Sequence, residues 1–291
     1  MTPKAKKASA LKWLDYNLNF DSKTLIMGIL NITPDSFYDG GLHFQIKDAI
    51  DHALRMVNEG ADIIDVGGES TRPFSDPIPI EEELNRVIPL IKAISKQIDI
   101  PISIDTCKSE VARRALDAGA RMINDISALM FDPAMGPLAA KAGVPVVLMH
   151  MKGAPKNMQV NPTYNDLFKE IISFLSKAVE DAVETGIKRD LLLIDPGIGF
   201  GKSINDNLNI IKGLHKLSCI GQPILIGTSN KSFIGHVLDL PVESRETGTM
   251  AAIAASILNG ANVVRVHNVK AAKEIATIID AIKSGGVKLR S

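Results

Sequence analysis

The stretch PISIDTCKSEVARRALDAGARMINDIS, residues 101–127, contains the repeating unit of the fold. It opens with an apolar, β-branched run, PISIDT (101–106), continues with a helical pattern over residues 109–118, and ends in a second apolar run, RMINDIS (121–127). Such a strand, helix and strand form a parallel βαβ unit, because parallel strands need a crossover of a dozen or more residues. Gly119 follows the helical pattern at the position where a glycine commonly ends a helix.

The same unit recurs in both directions along the chain. The apolar runs, eight in all, are LIMGILNIT (25–33), DIIDVGG (62–68), PISIDT (101–106), RMINDIS (121–127), VPVVLMH (144–150), LLLIDPG (191–197), PILIGTS (223–229) and NVVRVHN (262–268). Helical patterns cover residues 47–59, 80–97, 109–118, 165–185, 205–217, 246–258 and 270–282. Eight strands that alternate with helices predict parallel pairing throughout and a closed (β/α)₈ barrel.

An open doubly wound sheet is the alternative architecture for this alternation. It needs a turn of the GxGxxG type directly after an early strand, and residues 25–41 contain none. GIGFGKS (197–203) has its glycines too close together for the phosphate-binding pattern GxxxxGK[ST]. We therefore predict a single TIM barrel over residues 24–291, preceded by a short N-terminal extension over residues 1–23.

The composition excludes several classes of protein. Of 291 residues, 45% are hydrophobic and 23% are charged, which excludes a disordered chain, a collagen-like repeat and a disulfide scaffold. The 33 Lys and Arg balance 33 Asp and Glu, so charge gives no reason to expect a nucleic-acid or membrane-surface partner. Cys107 and Cys219 are too few for a zinc site and fit the reducing cytoplasm.

The first thirteen residues, MTPKAKKASALKW, are locally basic. They could be read as a targeting signal, but no apolar segment with a small-residue cleavage site follows them. We expect this head to be a solvated tail.

Polar side chains lie at the carboxyl ends of the predicted strands, and each shares a strand face with the residue two positions earlier. They are Asn31, Asp105, Asn124, Asp195, Arg265 and His267, with Met149 at the equivalent place in the fifth strand. A barrel gathers these ends into one ring, where barrel enzymes carry their active sites. The carboxylates and amide suit a flat heterocycle with several N–H donors, and Met149 suits its face. Arg265 and His267, with Arg72 and Lys231 from loops, suit a phosphate-type anion opposite.

Eight segments carry a resemblance to a known family. They are LNITPDSFYDGG, DVGGESTRP, SIDTCKSEV, GARMINDIS, LMHMKGAPKNMQ, DPGIGFGK, GTSNKSFIG and RVHNV. In order and spacing they resemble the signature segments of dihydropteroate synthases, the folate-pathway transferases, from about Leu25 to about Ala272. The resemblance implies that the chain joins 6-hydroxymethyl-7,8-dihydropterin pyrophosphate to p-aminobenzoate and releases pyrophosphate and 7,8-dihydropteroate. It also implies an SN1-like displacement, a homodimer and competition by sulfonamides.

The resemblance assigns roles to individual residues. The pterin is implied to contact Asp105, Asn124, Met149, Asp195 and Lys231; p-aminobenzoate to contact Thr71, Arg72, Pro73, Phe200 and Ser232; and pyrophosphate to contact Asn31, Arg72, Arg265 and His267. Asn31, Lys231, Arg265 and His267 are implied to be catalytic. Asn31 is also implied to touch the Mg²⁺ that the pyrophosphate carries. The loops over residues 33–44 and 69–80 are expected to be mobile and to close over the substrates.

Three positions depart from the family pattern. Phe74 stands where ESTRP is commonly followed by Gly, Asn230 where an Arg commonly precedes Lys231, and Asn268 where RVH is commonly followed by Asp. These departures keep open a paralogue that binds pterin without condensing it.

Two other activities stay open as alternatives. A pterin-dependent methyltransferase shares the carboxylates but does not need the pyrophosphate cations. An aldolase would use Lys231 as a Schiff base, although such a lysine normally lies on a strand inside the barrel. We expect Cys107 to be a filler rather than a nucleophile and His150 to be a packed side chain.

Overall fold

The computed structural model describes residues 9–21, 23–32, 42–70, 75–153, 158 and 162–286, with only the backbone for residues 42–45. Its strands are β1 Ala10–Trp13, β2 Tyr16–Asn19, β3 Leu25–Asn31, β4 Ile63–Gly67, β5 Ile102–Asp105, β6 Met122–Asp125, β7 Val146–Met149, β8 Leu192–Asp195, β9 Leu225–Ile226 and β10 Val263–Val266. Its helices are α1 Leu42–Asn58, α2 Ile80–Ile94, α3 Ser109–Ala118, α4 Met135–Ala142, α5 Leu167–Glu184, α6 Ile204–Lys212, α7 Ser232–Leu238, α8 Glu246–Leu258 and α9 Val269–Ser284.

The strands from β3 to β10 form one parallel sheet that closes on itself. Consecutive strands pair from β3 through to β8, and β10 pairs with both β3 and β9. The remaining gap, between β8 and β9, is bridged where the Ile194 N–H donates to the Pro223 carbonyl at 3.0 Å. The predicted (β/α)₈ barrel is confirmed, and all eight predicted strands lie where the sequence places them.

The barrel strands are buried on both faces, which explains their almost continuous apolar runs. Ile63 and Ile64 are neighbours on β4 that point to opposite faces, and both are completely buried. The helices cover the outer face with apolar stripes, for example Val87, Leu90 and Ile94 on α2. No helix within the described ranges combines the length and apolar character needed to cross a membrane.

A hairpin of β1 and β2 corrects the expectation of a solvated tail. Residues 1–8 lie outside the described part, but Leu11 and Trp13 are buried and alternate with the exposed Lys12. The Trp13 indole N–H donates to the carbonyl of Arg121 at 2.9 Å, directly before β6 begins. The hairpin therefore packs its apolar face against the amino end of the barrel.

The helix predictions need three corrections. The helical pattern over residues 205–217 divides into α6 and a 3₁₀ turn, Leu214–Ile220. The helical patterns with stated bounds leave out α4, which has glycine and proline in its first turn, and α7, which has only seven residues, although Gly143 and Ser232 are expected at a helix end and a helix start. Both helices are too short to show a clear apolar period, whereas α3 and α8 have the predicted bounds.

Candidate active site

The carboxyl ends of the strands bring the predicted polar residues to one end of the barrel. The strand register places Asn31 opposite Gly67, Gly67 opposite Asp105, and Asp105 opposite Asn124. These four positions therefore lie side by side across β3 to β6. On the following strands, Met149 pairs with Asp195.

Gly67 leaves room between Asn31 and Asp105. A Cβ atom at position 67 would lie 3.1 Å from the Asn31 Oδ1 and 3.7 Å from the Asp105 Oδ2. A larger side chain would fill the space between these two groups. With glycine at position 67, no side chain separates these two oxygens.

Arg265 is paired with two carboxylates rather than placed opposite them, which corrects the sequence-based arrangement. Its Nε donates to the Asp65 Oδ2 and its Nη2 to the Asp105 Oδ2, both at 2.6 Å. The same Asp65 oxygen accepts from the Asn124 Nδ2 at 3.0 Å. Burial raises the pKa of Asp105, although the guanidinium of Arg265 lowers it. Asp65 thus connects Arg265 and Asn124, two of the predicted ligand-binding residues.

Asp195 lies at the end of β8 and is held by the turn that follows. Its Oδ1 accepts from the Gly197 N–H at 2.6 Å, while its Oδ2 accepts no hydrogen bond from the described residues. Burial raises the pKa of Asp195 to about 6, opposed by the Gly197 N–H and the charge of Lys231. Gly197 has a φ of +70°, and a Cβ there would lie 2.0 Å from the His150 carbonyl oxygen. Only glycine fits this turn.

An apolar surface adjoins the carboxylates. Met149 and Phe200 belong to a small buried cluster with Ile126, Met151 and Met158, separate from the main core. The Lys231 ammonium lies 4.4 Å from the centre of the Phe200 ring. Burial and the charge of Arg265 lower the pKa of Lys231 to about 8, while the charge of Asp195 raises it. The site combines open acceptors, cations and a flat apolar wall.

Comparison with known proteins identifies the family. The model of the pterin binding enzyme family matches residues 27–267. A dihydropteroate synthase of Bacillus subtilis is 46% identical over 93% of this chain and 93% of its own length. This chain belongs to the dihydropteroate synthase family. The predicted family, the transferase class and the place in folate biosynthesis are thereby confirmed.

Solved structures of dihydropteroate synthases have the same fold. The Yersinia pestis enzyme, solved with a sulfonamide drug complex, superposes with a TM-score of 0.90 at 42% identity, covering 94% of this chain and 99% of that one. The Xanthomonas albilineans enzyme, solved with 4-aminobenzoic acid, gives 0.89 at 42% identity, covering 96% and 99%.

Two of the three departures from the family pattern lie among the described residues, and each meets a local backbone need. Asn230 has a φ of +56°, a left-handed conformation that asparagine tolerates well, and its N–H donates to the Thr249 hydroxyl at 3.1 Å. Asn268 is the N-cap of α9, where its Oδ1 accepts from the Ala271 N–H at 3.0 Å. Asn268 therefore keeps the capping function that an aspartate would have there.

His267 and Ser232 lie at the rim rather than in the buried part of the site. His267 is exposed, and its Nδ1 lies 2.8 Å from the Ser229 hydroxyl. Ser232 is exposed at the first residue of α7. Their predicted contacts with pyrophosphate and p-aminobenzoate stay predictions.

The loop after β4 is anchored at its base. The Lys108 ammonium bonds to Glu69, to the Ile78 carbonyl at 2.8 Å and to the buried Glu83 at 2.7 Å. Arg86 donates to the Gly68 carbonyl at 2.7 Å. Thr71, Arg72, Pro73 and Phe74 lie outside the described residues, as does the segment 33–41, so the predicted closure of both loops stays a prediction.

Lys202 is buried beneath the site. Its ammonium lies 3.0 Å from the His150 Nδ1 and donates to the carbonyls of His150 and Phe200, at 3.2 and 2.9 Å. Burial lowers the pKa of Lys202 to about 7 and that of His150 to about 3. His150 is thus a packed, neutral acceptor, as predicted, and Lys202 ties the end of β7 to the loop that carries Phe200.

Cys107 has the environment of a structural cysteine. It packs against the apolar cluster of Met149 and Phe200, and burial together with the Asp125 carboxylate raises the pKa of its thiol. A thiol held neutral is a poor nucleophile, which agrees with the prediction of a filler.

Asp65 is the residue that sequence reasoning missed. The barrel rule points to residues at the ends of the strands, whereas Asp65 lies in the middle of β4. A charged residue within an otherwise apolar, fully buried strand is itself a signal, because buried charges are normally paired.

Proposed function

We propose that this chain condenses 6-hydroxymethyl-7,8-dihydropterin pyrophosphate with p-aminobenzoate to give 7,8-dihydropteroate and pyrophosphate. The observation that carries the proposal is the pairing of open acceptors with half-buried cations at one barrel end. The Asp195 Oδ2 and the Asn124 Oδ1 accept no hydrogen bond from described residues, and Arg265 and Lys231 lie beside them. Such a site suits a ring with N–H donors and an anionic leaving group.

The pterin ring binds across the end of the barrel. Asp195 accepts from its 2-amino group and ring N–H, while Asn124 and Asp105 take the opposite edge. Lys231 donates to the carbonyl side of the ring. Met149, buried beside Asp195 in register, lies against the ring face.

The reaction proceeds by an SN1-like displacement. The bond between the methylene carbon and the pyrophosphate oxygen breaks, and its electron pair leaves with pyrophosphate. The electron-rich dihydropterin stabilises the methylene cation, which the amine of p-aminobenzoate attacks before it loses a proton. Arg265, His267, Asn31 and Arg72 bind the departing charge, and each preorganised donor contributes about 2.7–4 kcal/mol if it acts as donors do in other enzymes.

Mg²⁺ is proposed to accompany the pyrophosphate. Within the described part of the chain, no three acidic, histidine or cysteine side chains are grouped as a metal site. Mg²⁺ commonly takes only one or two protein oxygens together with substrate phosphates and water. The Asn31 Oδ1, beside Gly67 at the end of β3, fits that need and would hold the ion. When bound, Mg²⁺ supplies Lewis-acid stabilisation of the leaving group.

The p-aminobenzoate site is proposed to lie between the Phe200 ring and the loop after β4. Phe200 is buried in the apolar cluster, and Ser232 lies at the start of α7. Thr71, Arg72 and Pro73 complete the site in the proposal. We expect sulfonamides to compete there, because their shape and charge imitate p-aminobenzoate.

We further propose a cytoplasmic homodimer. Cys107 and Cys219 are both free thiols, which agrees with a reducing compartment. Val237 and Leu258 are exposed apolar side chains on α7 and α8, and Ile278 is another on α9. These packed helices offer an apolar surface to a second copy of the chain.

One assay separates the alternatives. Purified protein is mixed with the pterin pyrophosphate, labelled p-aminobenzoate and Mg²⁺, and pteroate is measured. Pterin binding without pteroate or pyrophosphate would favour the non-catalytic paralogue. Methyl transfer from a methylated reduced pterin to a corrinoid acceptor would favour the methyltransferase.

Two variants test the assigned roles. Asp195→Ala is expected to weaken binding of free 6-hydroxymethyl-7,8-dihydropterin, whereas Arg265→Ala is expected mainly to slow pyrophosphate departure. Titration calorimetry with the free pterin measures the first effect and single-turnover kinetics the second. Equal losses of pterin affinity in both variants contradict the assignment.

A further inference from the structure

Asp65 is a completely buried carboxylate that touches two proposed substrate residues. Its Oδ2 accepts from the Arg265 Nε at 2.6 Å and from the Asn124 Nδ2 at 3.0 Å. Its Oδ1 is buried and has no hydrogen-bond partner among the described residues. Within the described part of the chain, all of its hydrogen bonding is thus directed to these two side chains.

The contact with Asp65 decides how Asn124 can bind a ligand. An asparagine amide has a donor end and an acceptor end, and rotation by 180° exchanges them. A carboxylate can only accept, so it holds the Nδ2 of Asn124 and leaves the Oδ1 for the ligand. Asn124 therefore presents an acceptor to the ligand.

The oxidation state of a pterin decides whether its N8 atom donates or accepts a hydrogen bond. In a 7,8-dihydropterin the N8 atom is a secondary amine that donates a hydrogen bond. In an oxidised pterin the same atom is a ring nitrogen with a lone pair, and it only accepts. A fixed acceptor binds the first and repels the second, because two acceptors leave both unsatisfied.

We propose that Asp65 is a positioning residue that fixes Asn124 as an acceptor and thereby selects the 7,8-dihydro form of the pterin. This inference rests on the proposed function, in which Asn124 faces the ring edge opposite Asp195. Asp65 also holds the guanidinium of Arg265, which in turn contacts Asp105. One buried charge thus orders the acceptor edge of the pterin site.

The test compares two pterins in matched variants. Asp65→Leu and Asp65→Ser remove the carboxylate that accepts from the Asn124 Nδ2, and serine has the smaller side chain. Asp65→Asn keeps an acceptor oxygen without the charge. Ser103→Ala is the control, because Ser103 is the register partner of Asp65 on β5 and its buried hydroxyl has no described partner. Circular dichroism and thermal melts verify folding. Calorimetry measures Kd for 6-hydroxymethyl-7,8-dihydropterin and for oxidised 6-hydroxymethylpterin.

Wild type and Ser103→Ala are expected to prefer the dihydropterin by about tenfold, the factor that corresponds to about 1.4 kcal/mol for one net hydrogen bond. Asp65→Leu and Asp65→Ser are expected to lower this preference at least about threefold, with the oxidised pterin bound no more weakly than by wild type. The released amide can then rotate and donate to N8. Asp65→Asn is expected to restore part of the preference.

Two results overturn the inference, and they differ from a failure of the proposed function. If a folded Asp65→Leu or Asp65→Ser variant loses affinity for both pterins equally, Asp65 is merely structural. If wild type forms pteroate yet binds both pterins equally, selection of the oxidation state is absent. Wild type that binds neither pterin removes the proposed function and this inference together.

Discussion

The affinity for pterin should depend on pH through two groups of opposite charge, the buried Asp195 and the half-buried Lys231. Burial raises the pKa of Asp195 to about 6, so its carboxylate is charged above that pH and neutral below it. Burial lowers the pKa of Lys231 to about 8, so its ammonium is charged below that pH and neutral above it. Both charged forms serve the pterin in the proposed complex, so the association constant should be greatest between about pH 6 and 8.

The size of the effect follows from the two pKa values. One unit beyond either value, at pH 5 or pH 9, only about one-eleventh of the group keeps its charge, so the association constant should fall about tenfold. Calorimetry with free 6-hydroxymethyl-7,8-dihydropterin is the assay, because that ligand has no phosphate to titrate. Asp195→Asn should remove the acid limb that belongs to this carboxylate. Lys231→Arg should remove the alkaline limb, since a guanidinium stays protonated. An association constant that stays level from pH 5 to 9 in wild type refutes the reasoning.

Two stability predictions concern the supports of the site. Gly197→Ala should lower the free energy of unfolding by at least about 2 kcal/mol more than Gly143→Ala, measured by urea denaturation. Both glycines have positive φ, which costs alanine about 1–2 kcal/mol. Only at Gly197 would the new Cβ also clash with a carbonyl oxygen, that of His150. Equal losses of stability in the two variants would contradict this clash. Lys108→Met should cost about 3 kcal/mol, because it leaves the buried Glu83 unpaired. Lys177→Met removes a partner from an exposed ion pair on a helix and should not measurably change the unfolding midpoint. Similar losses of stability in Lys108→Met and Lys177→Met would refute the role of burial.

The barrel could be predicted because its signal is repeated eight times, whereas single short elements could not. The helix α7 has only seven residues, too few to show a hydrophobic periodicity, and its stability depends on packing. The lysines around the hairpin favoured the interpretation of a solvated tail. The buried Leu11 and Trp13 nevertheless alternate with the exposed Lys12, as a strand requires. Charge composition alone was a poor guide there, because a lysine on the outer face of a strand stays solvated.

In the candidate site, the positions of residues could be predicted from the sequence, whereas the contacts between their side chains could not. Strand parity and the barrel rule could place Asp105, Asn124 and Asp195 at one end, because both depend only on backbone geometry. They could not show that Arg265 would contact Asp105, because which side chains pair across a barrel depends on side-chain length and rotamer. Asp65 was missed for a related reason, since its role exists only through its partners.

The two roles of Arg265, as partner of buried carboxylates and as proposed ligand of pyrophosphate, are compatible. A guanidinium has five N–H donors, one on Nε and two on each terminal nitrogen. The bonds to Asp65 and Asp105 use one on Nε and one on Nη2, which leaves three of the five. The two carboxylates hold the plane of the guanidinium, and the side chain is still 20% exposed. A cation fixed in this way loses little further freedom when an anion binds, so the ion pairs that seem to occupy Arg265 are what preorganise it for the leaving group.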